Sequence, residues 1–367
     1  MKGETSMDES RSRHPYHMYD AIFAQPEAVA RVPEKNAAAL EEFAAGAASC
    51  ERLFLVGIGT SYHAALVGEH LLRAYGGGLD VRAIHAFDFT LYGPDLAPGD
   101  CVVAISHRGT KRYTARALER ALEAGCRTAL VTGEEASVSV RADALFTTVA
   151  QERSSAHTVS YTAAISVLAH LAGRIGHQRS GSETLPEGFL RDELPAALGA
   201  ALGAEERVEA LAREHLARRR IWLLGGGPNA ATAAEVALKI KETSYLQAEG
   251  TSTEAMLHGP FQCVEAEDLF VLIAPAGVAQ ERTLEVAELV AEIGGSCLVV
   301  GDGAMDPPQG AAQLLGVPEV PEPFSALTCI LPLQLFAYHL ALAHGTNPDN
   351  FRADDPRFAR ADVSGRL

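Results

Sequence analysis

At 367 residues, with 47% hydrophobic and 21% charged positions, the chain has the length of two domains of ~100–200 residues and an ordinary globular composition. Its net charge of −16 argues against the basic face that a phosphate-backbone binder needs, so nucleic acid is not an expected partner. No apolar run is read as approaching the ~20 residues of a membrane helix and residues 1–10 lack the apolar core of a secretion signal, so the expected location is the cytoplasm, without membrane contact.

In chain order, residues 1–16 read as a disordered polar tail, followed from Met18 to about Ala45 by an Ala/Glu-rich helical pattern broken at Pro26. A first unit then runs strand 52–56, helix 61–75, strand 81–84, strand 101–105, helix 110–124, strand 127–131, strand 144–148 and helix 160–175. The polar run around 177–188 interrupts the pattern and reads as a linker. A second unit follows as helix 189–216, strand 220–224, helix 230–244, strand 269–273, helix 279–293, strand 297–300 and helix 324–343, ahead of a charged tail with Pro348 and Pro356. Strands alternating with helices of this length predict an α/β fold with parallel sheets covered on both faces. The expected domains are therefore 17–176 and 189–345, with a tail at 346–367.

The two units repeat one another. Leu-Phe-Leu-Val-Gly-Ile-Gly, ending at Gly59, lies 168 residues ahead of Ile-Trp-Leu-Leu-Gly-Gly-Gly, ending at Gly227. The same offset aligns Asp100–Ile105 with Asp268–Ile273. A spacing this long indicates duplicated domains rather than a solenoid, and ligands commonly sit where such halves, or their symmetry mates, meet.

The six cysteines, Cys50, Cys101, Cys126, Cys263, Cys297 and Cys329, show no C-x-x-C spacing and read as reduced core residues, neither disulfides nor metal ligands. Neither a metal nor another cofactor is expected. The chain has 26 arginines but five lysines, Lys2, Lys35, Lys111, Lys239 and Lys241, so an amine-dependent step has few candidates.

Three segments can carry chemistry. Gly57-Ile-Gly59-Thr60-Ser61 joins a strand to a helix, where partial positive charge can hold an anion or a sugar hydroxyl, although glycine there also serves a tight turn. Ser106-His107-Arg108-Gly109-Thr110-Lys111-Arg112 opens the next long helix. Helix capping accounts for Ser106 and Thr110, but not for three cations at a helix N-terminus, a pattern that suits a phosphate or carboxylate. In the second unit Lys239 and Glu242 share a helix face, as a surface ion pair or as acid–base groups, and His258 sits in a constrained His-Gly-Pro turn. Glu249, between them, is a further candidate for substrate contact.

Together these segments resemble the SIS (sugar isomerase) domain family, and within it the isomerase half of glucosamine-6-phosphate synthase. The likeness runs from Gln25-Pro26-Glu27 through Gly57-Ile-Gly-Thr-Ser61 and Ala237-Leu-Lys-Ile-Lys-Glu-Thr-Ser-Tyr245 to Pro332-Leu-Gln-Leu-Phe-Ala-Tyr-His339. It implies two SIS domains binding a phosphorylated sugar, with Gly59, Thr60, Ser61, Ser106, His107, Arg108, Thr110, Lys111 and Glu249 as substrate contacts. It further implies Glu242 as the base that moves a proton between C1 and C2, Lys239 beside it, and His258 as the ring-opening acid contributed across a homodimer.

The chain departs from that pattern in having no counterpart of the glutamine-hydrolysing domain, cations in its phosphate loop, and no lysine after Lys241 where the synthase forms a Schiff base. Arginine cannot take that role, since its guanidinium stays protonated. The expected activity is aldose–ketose interconversion of a sugar phosphate or amino-sugar phosphate, with or without deamination or deglycation. The alternatives are a sugar-phosphate sensor without turnover, or a biosynthetic enzyme for an unusual anionic sugar selected by Arg108 and Lys111.

Overall fold

The fold is taken from a computed structural model that describes residues 11–218, 220–305 and 313–361. The first half contains strands β1 (Arg52–Gly57), β2 (Asp80–His85), β3 (Asp100–Ile105), β4 (Arg127–Thr132) and β5 (Ala144–Thr147). Its helices are α1 (His17–Phe23), α2 (Gln25–Lys35), α3 (Ala37–Ala47), α4 (Thr60–Tyr75), α5 (Ala86–Tyr92), α6 (Arg112–Glu123) and α7 (Val159–Ser180). The second half contains β6 (Ile221–Gly225), β7 (Ala248–Ser252), β8 (Leu269–Ile273), β9 (Ser296–Asp302) and β10 (Gln313–Val317). Its helices are α8 (Leu194–Leu202), α9 (Glu205–Glu214), α10 (Pro228–Thr243), α11 (Thr253–Leu257), α12 (Gln280–Glu292), α13 (Ser325–Ala343) and α14 (Pro356–Ala361).

Each half builds one wholly parallel five-stranded sheet, in the orders β2-β1-β3-β4-β5 and β10-β9-β8-β6-β7. Traced from the edge beside its first strand, the second sheet repeats the order of the first. The central strands are almost continuous apolar runs, with β3 and β8 buried at every residue, as sheets covered on both faces require, whereas the edge strands β2 and β7 are more polar and exposed. In both sheets the order reverses beside the first strand, and the crevice at the carboxyl ends of the strands at such a switch point is where ligands bind in open α/β sheets.

The inner faces of both sheets share one continuous core, filled by α7 and α13, whereas the outer faces have separate small cores. Helix α4 packs on α7, α10 packs on α13, and α4 and α10 pack on each other. Each fully buried aliphatic or aromatic side chain in this layer contributes ~1.5–3 kcal/mol. The interface between the halves is therefore part of the fold and not a hinge.

Several expectations need correction. In place of one helix over 189–216 there is a π-helical turn, Phe189–Glu193, that runs into α8, and then α9, separated from α8 at Gly203-Ala204, with Pro195 in the first turn of α8. Strands β7 and β10 and helix α5 are additional to the expected elements. Helix α7 continues to Ser180, so the polar residues His177 to Ser180 belong to it rather than to a linker, and the chain turns at Gly181 in the left-handed region (φ 71). Residues 11–16 of the expected tail are docked: the Tyr16 N–H donates to the Tyr338 hydroxyl at 3.1 Å, and His14 Nδ1 lies 2.9 Å from the same hydroxyl. The rest of that tail, and 362–367, fall outside the described residues.

The segment Glu322–Ala343 is long and apolar enough to cross a membrane, contrary to the expectation that no such run exists; 89% of its most apolar window is buried inside the protein, which accounts for its composition. Cys50 and Cys101 form a disulfide, with Cα atoms 6.2 Å apart, against the expectation of six reduced thiols. The pairing of β1 with β3 brings together two residues whose spacing in the chain carried no signal. Cys126, Cys297 and Cys329 are buried free thiols, but Cys263 is exposed rather than in the core.

Candidate active site

Strand β1 ends at Gly57, where a Cβ would come within 2.6 Å of the Ser61 backbone, and the chain turns through Gly59 in the left-handed region (φ 57) to start α4. Only glycine allows so tight a turn, and it delivers Thr60, Ser61 and His63 to the flank of α10. There Thr60 Oγ1 donates to Glu235 Oε1 at 3.0 Å, and His63 Nδ1 lies 2.6 Å from Glu235 Oε2. Lys239 Nζ donates to Thr60 Oγ1 at 3.2 Å and to Glu242 Oε2 at 2.6 Å, and lies 3.4 Å from Glu235 Oε1. Glu235, Lys239 and Glu242 recur at helical spacing along one face of α10, so the charges form a chain from His63 outward.

Exposure distinguishes the members of that chain. The side chains of Glu235 and Lys239 are 0% and 1% exposed, whereas that of Glu242 is 20% exposed. Burial alone would discharge Lys239, but Glu242 and Glu235 hold its pKa above the usual lysine value. Burial likewise opposes ionisation of Glu235, yet Lys239 and His63 keep its carboxyl below the ordinary range. For Glu242, burial dominates and the neighbouring Glu235 reinforces it, so its pKa is raised despite the Lys239 contact. Glu242 is thus a partly exposed carboxylate whose proton affinity is shifted in the direction a general base requires.

On the other side of Thr60 a cavity of ≈ 10 Å³, about one water in size, is lined by residues including Thr60, Ser61, His107, His157, Ser160 and Tyr161. Burial, aided by Arg108, lowers the His107 pKa to about 4. Burial, aided by His107, Lys239, Arg108 and Lys111, lowers that of His157 to about 2. The two rings meet edge to face with centroids 5.1 Å apart and present neutral nitrogens to the cavity. His107 Nδ1 and the Tyr161 hydroxyl have no protein partner among the described residues. The Glu152 carboxylate accepts the N–H groups of Thr158 and Ser160 at 2.9 and 3.0 Å, and its pKa is raised by burial.

The residues named from sequence are only partly brought together. Thr60, Ser61, His107, Lys239 and Glu242 converge, with Gly59 setting their turn. Arg108 is exposed and Lys111 half-buried, both near enough to act on His157, but the third cation, Arg112, is taken up by Tyr113, with its guanidinium 4.8 Å from the ring centroid. Thr110 is exposed, and the Ser106 hydroxyl faces a different ≈ 10 Å³ cavity with Gly109 and Thr114.

His258 follows α11 beyond the carboxyl end of β7, 77% exposed and 3.1 Å from Glu254. Glu242 lies near the far end of the 16-residue α10, which runs back along the strands and at ~1.5 Å per residue puts the two about 20 Å apart in the strand direction. One chain therefore does not bring His258 to Glu242. Glu249 is exposed on the edge strand β7. Sequence reading missed His63, Glu152, His157 and Glu235; only Glu235, a lone acid in an Ala/Val-rich stretch four residues before Lys239, carried a signal.

Next to Glu242 opens a cleft of ≈ 420 Å³, walled by Tyr245, Leu246, Gln247, Phe351, Arg352 and Phe358, with Lys241 at its rim. The carboxyl-terminal segment is tied down ahead of it: Asp349 accepts the N–H groups of His17 and Met18 at 2.9 Å each, and Thr346 Oγ1 donates to the Thr243 carbonyl at 2.7 Å.

Residues 48–173 and 216–344 match the model of the SIS domain. The chain belongs to the SIS domain family. Its two SIS segments coincide with the two sheets described above. Over 342 residues the chain is 31% identical to glutamine–fructose-6-phosphate aminotransferase (isomerizing) of Pyrococcus horikoshii, covering 92% of this chain but 57% of that protein. Among solved structures, the C-terminal domain of glucosamine-fructose-6-phosphate aminotransferase from Francisella tularensis superposes with a TM-score of 0.81 at 21% identity, covering 92% of this chain and 99% of that one. Tagatose-6-phosphate ketose/aldose isomerase from Escherichia coli superposes with a TM-score of 0.77 at 20% identity, covering 93% and 97%. At these identities the two structures establish likeness of fold.

Proposed function

We propose that this SIS protein interconverts the carbonyl position of a sugar phosphate or amino-sugar phosphate, with Glu242 as the base that moves a proton between C1 and C2. The observation that carries this reading is the placement of Glu242: a partly exposed carboxylate of raised pKa, tied through Lys239 to the Thr60 turn at the switch point of the other sheet. Lys239, charged and buried, orients Glu242 and offsets the negative charge that an enediolate intermediate brings near it. The hydroxyls of Thr60 and Ser61, with Arg108 and Lys111 behind the neutral pair His107 and His157, supply the anion-holding end. The sugar-phosphate and amino-sugar-phosphate names of the relatives support the same substrate class.

His258 enters this reading only from a second copy of the chain, since its own Glu242 is at the opposite end of α10. In a homodimer it would open the partner's sugar ring. On a substrate bearing an amine, the same proton shift makes an imine that water hydrolyses, so deamination or deglycation needs no further reagent.

The test is incubation with fructose 6-phosphate, glucosamine 6-phosphate and fructosamine 6-phosphates in deuterated water. Exchange at C1 or C2 is expected, and Glu242→Gln should slow it by ~10²–10⁴-fold. Tight binding without exchange on any of them would replace the isomerase reading with that of a sensor.

A further inference from the structure

Arg352 is unusual among the cations of this chain. Its guanidinium lies 4.0 Å from the ring centroid of Tyr245 and 4.7 Å from that of Phe358, held between two aromatic faces. Asp355 is engaged by Arg357 at 2.7 and 3.1 Å, and Arg352 acts on it only through its charge, which helps hold that carboxyl below the ordinary range. The guanidinium of Arg352 consequently has no hydrogen bond or ion pair among the described residues, although its backbone N–H donates to the Tyr245 hydroxyl at 3.1 Å. A half-buried planar cation with its N–H fork unfilled is a receptor for a carboxylate, which matches that fork with two parallel hydrogen bonds.

The backbone adds an independent sign. Three described non-glycine residues lie in the left-handed region, Glu135, Tyr245 and Arg352, and two of them are this stacked pair, at φ 61 and 57. For bulky side chains that conformation costs on the order of 1–3 kcal/mol and persists where the surroundings over-determine it, commonly at ligand clamps. Tyr245 takes it as the residue that ends α10 and Arg352 takes it in a turn, and both line the ≈ 420 Å³ cleft that also contains Glu242. Apart from its cations, Glu242 and Gln247 the cleft is walled by Tyr245, Leu246, Phe351 and Phe358, which suits an organic carboxylate better than a second phosphate.

We propose that this cleft is a carboxylate subsite contiguous with the proton-transfer site. The substrate class it selects is an amino-sugar phosphate whose nitrogen carries an amino-acid residue, with the amino-acid carboxylate on Arg352. The proposal rests on the function given above for the sugar end. The nitrogen is attached to, or next to, the carbon that Glu242 deprotonates, so its substituent has to lie beside Glu242, where the cleft is. For a 1-amino ketose phosphate, the proton leaves C1 and returns at C2 while the C2 oxygen becomes a hydroxyl and an imine forms at C1. Water then adds to C1, the C1–N bond breaks, and the aldose phosphate and free amino acid leave. Only water is consumed.

The test compares two probes that differ in one group: 1-deoxy-1-(carboxymethylamino)-fructose 6-phosphate and its 1-ethylamino analogue. Binding is measured by calorimetry on the full chain carrying Glu242→Gln, so that neither probe turns over. The carboxylate probe is expected to bind about 10- to 100-fold tighter, the range of a hydrogen-bonded charge. Adding Arg352→Gln should bring that ratio to about one, and Arg352→Lys, which keeps the charge without the fork, to an intermediate value. Equal binding of the two probes, or a ratio that survives either substitution at full size, overturns the subsite. The two readings fail separately. Deuterium exchange by the unsubstituted protein on both probes, with equal affinities, sinks the subsite and keeps the isomerase; a carboxylate preference without exchange on either probe does the reverse.

Discussion

Helices α4 and α10 are the same helix made twice, each of 16 residues, starting 168 residues apart after glycines with nearly identical backbones, φ 57 and ψ −128 at Gly59 against φ 53 and ψ −128 at Gly227. They pack about an internal two-fold axis: Leu238 approaches Gly59, and His70, the equivalent of Leu238, approaches Gly227, each 4.0 Å from where a Cβ on the glycine would stand. Such an axis creates two equivalent junctions. At one, Thr60 and His63 meet Glu235 and Lys239; at the other, the matching positions are Pro228 and Ala231 facing Val67 and Leu71. The loops after β3 and β8 diverge in the same way, Ser106-His107-Arg108-Gly109 against Ala274-Pro275-Ala276-Gly277. Duplication kept the frame, and polar chemistry is retained at only one of the two junctions.

The sharpest way to break that asymmetry is to remove the charge at its centre. Lys239→Met leaves Glu235 buried and opposed only by His63, and should lower unfolding stability in urea by ~3–5 kcal/mol. The equivalent change in the other half, Leu71→Met, conserves volume in an apolar site and should cost less than ~1.5 kcal/mol. Copying the first half into the second, Glu235→Val with Lys239→Leu, should restore much of the lost stability, since replacing a whole buried ion pair by packed apolar residues is often neutral. Proton exchange should be lost in both Lys239 variants, since each removes the ammonium that holds Glu242 at 2.6 Å. Failure of the double variant to recover would mean that the charges, and not merely their mutual compensation, hold α4 to α10.

A pH titration sharpens the comparison by a smaller amount. His107 and His157 have pKa values depressed to about 4 and about 2, and the second half has Pro275 where His107 stands. Their contribution to stability is complete above the unfolded value of 6.5 and is lost as pH falls through that value toward the folded ones, because the unfolded chain takes up protons that the folded one refuses. Each steepens the acid loss of stability by up to ~1.4 kcal/mol per pH unit. His157→Gln should flatten the curve between pH 6.5 and about 4. Glu242 acts in the opposite sense: its raised pKa means that its contribution to stability is present below 4.5 and lost as pH rises through the folded value. In activity, the same shift moves the acid limb of the exchange rate above pH 4.5. A limb at or below that ordinary carboxylate value would remove Glu242 as the base.

The repeat and the two α/β units were legible because buried parallel strands are apolar at every position and leave a strong signal. Strand β7 was not, because Ala-Glu-Gly-Thr-Ser has little strand propensity; Gly250 is there since a Cβ would meet the Ala233 carbonyl oxygen at 2.1 Å as α10 presses on the sheet. In the site, Lys239 and Glu242 were visible from their helical spacing. Glu235 reads as a stray acid until α4 is known to deliver Thr60 and His63 against it. Glu152 and His157 lie in an irregular segment after β5, and no periodicity marks them. The separation of His258 from Glu242 follows from α10 running back along the parallel strands, which leaves Glu242 at their amino ends and His258 beyond their carboxyl ends, an arrangement that local sequence does not encode.

The least divergent feature of the two halves offers the finest test. Arg52 clasps Asp100 through Nε at 2.8 Å and Nη2 at 2.6 Å, and 168 residues on Arg220 clasps Asp268 at 3.0 and 2.8 Å; each carboxylate also accepts a backbone N–H, from Ala97 and Glu265 respectively. Two things differ: Nη2 of Arg52 hydrogen-bonds to Asp100 and to the Asp95 carbonyl whereas Nη2 of Arg220, though close to Asp268, makes no hydrogen bond among the described residues, and the second carboxylate has one further donor. Where the first half has Phe54 the second has Trp222, whose Nε1–H donates to Asp268 at 3.0 Å. Asp100→Ala and Asp268→Ala both strand an arginine and a backbone N–H, but the second also strands a buried indole N–H. Asp268→Ala should therefore be the more destabilising by about 1 kcal/mol in denaturant unfolding. Trp222→Phe, which restores the first half's residue, should close that gap, because an apolar ring asks nothing of the missing carboxylate. A gap that persists in the Trp222→Phe background would trace the difference to the packing of the two sheets rather than to the indole.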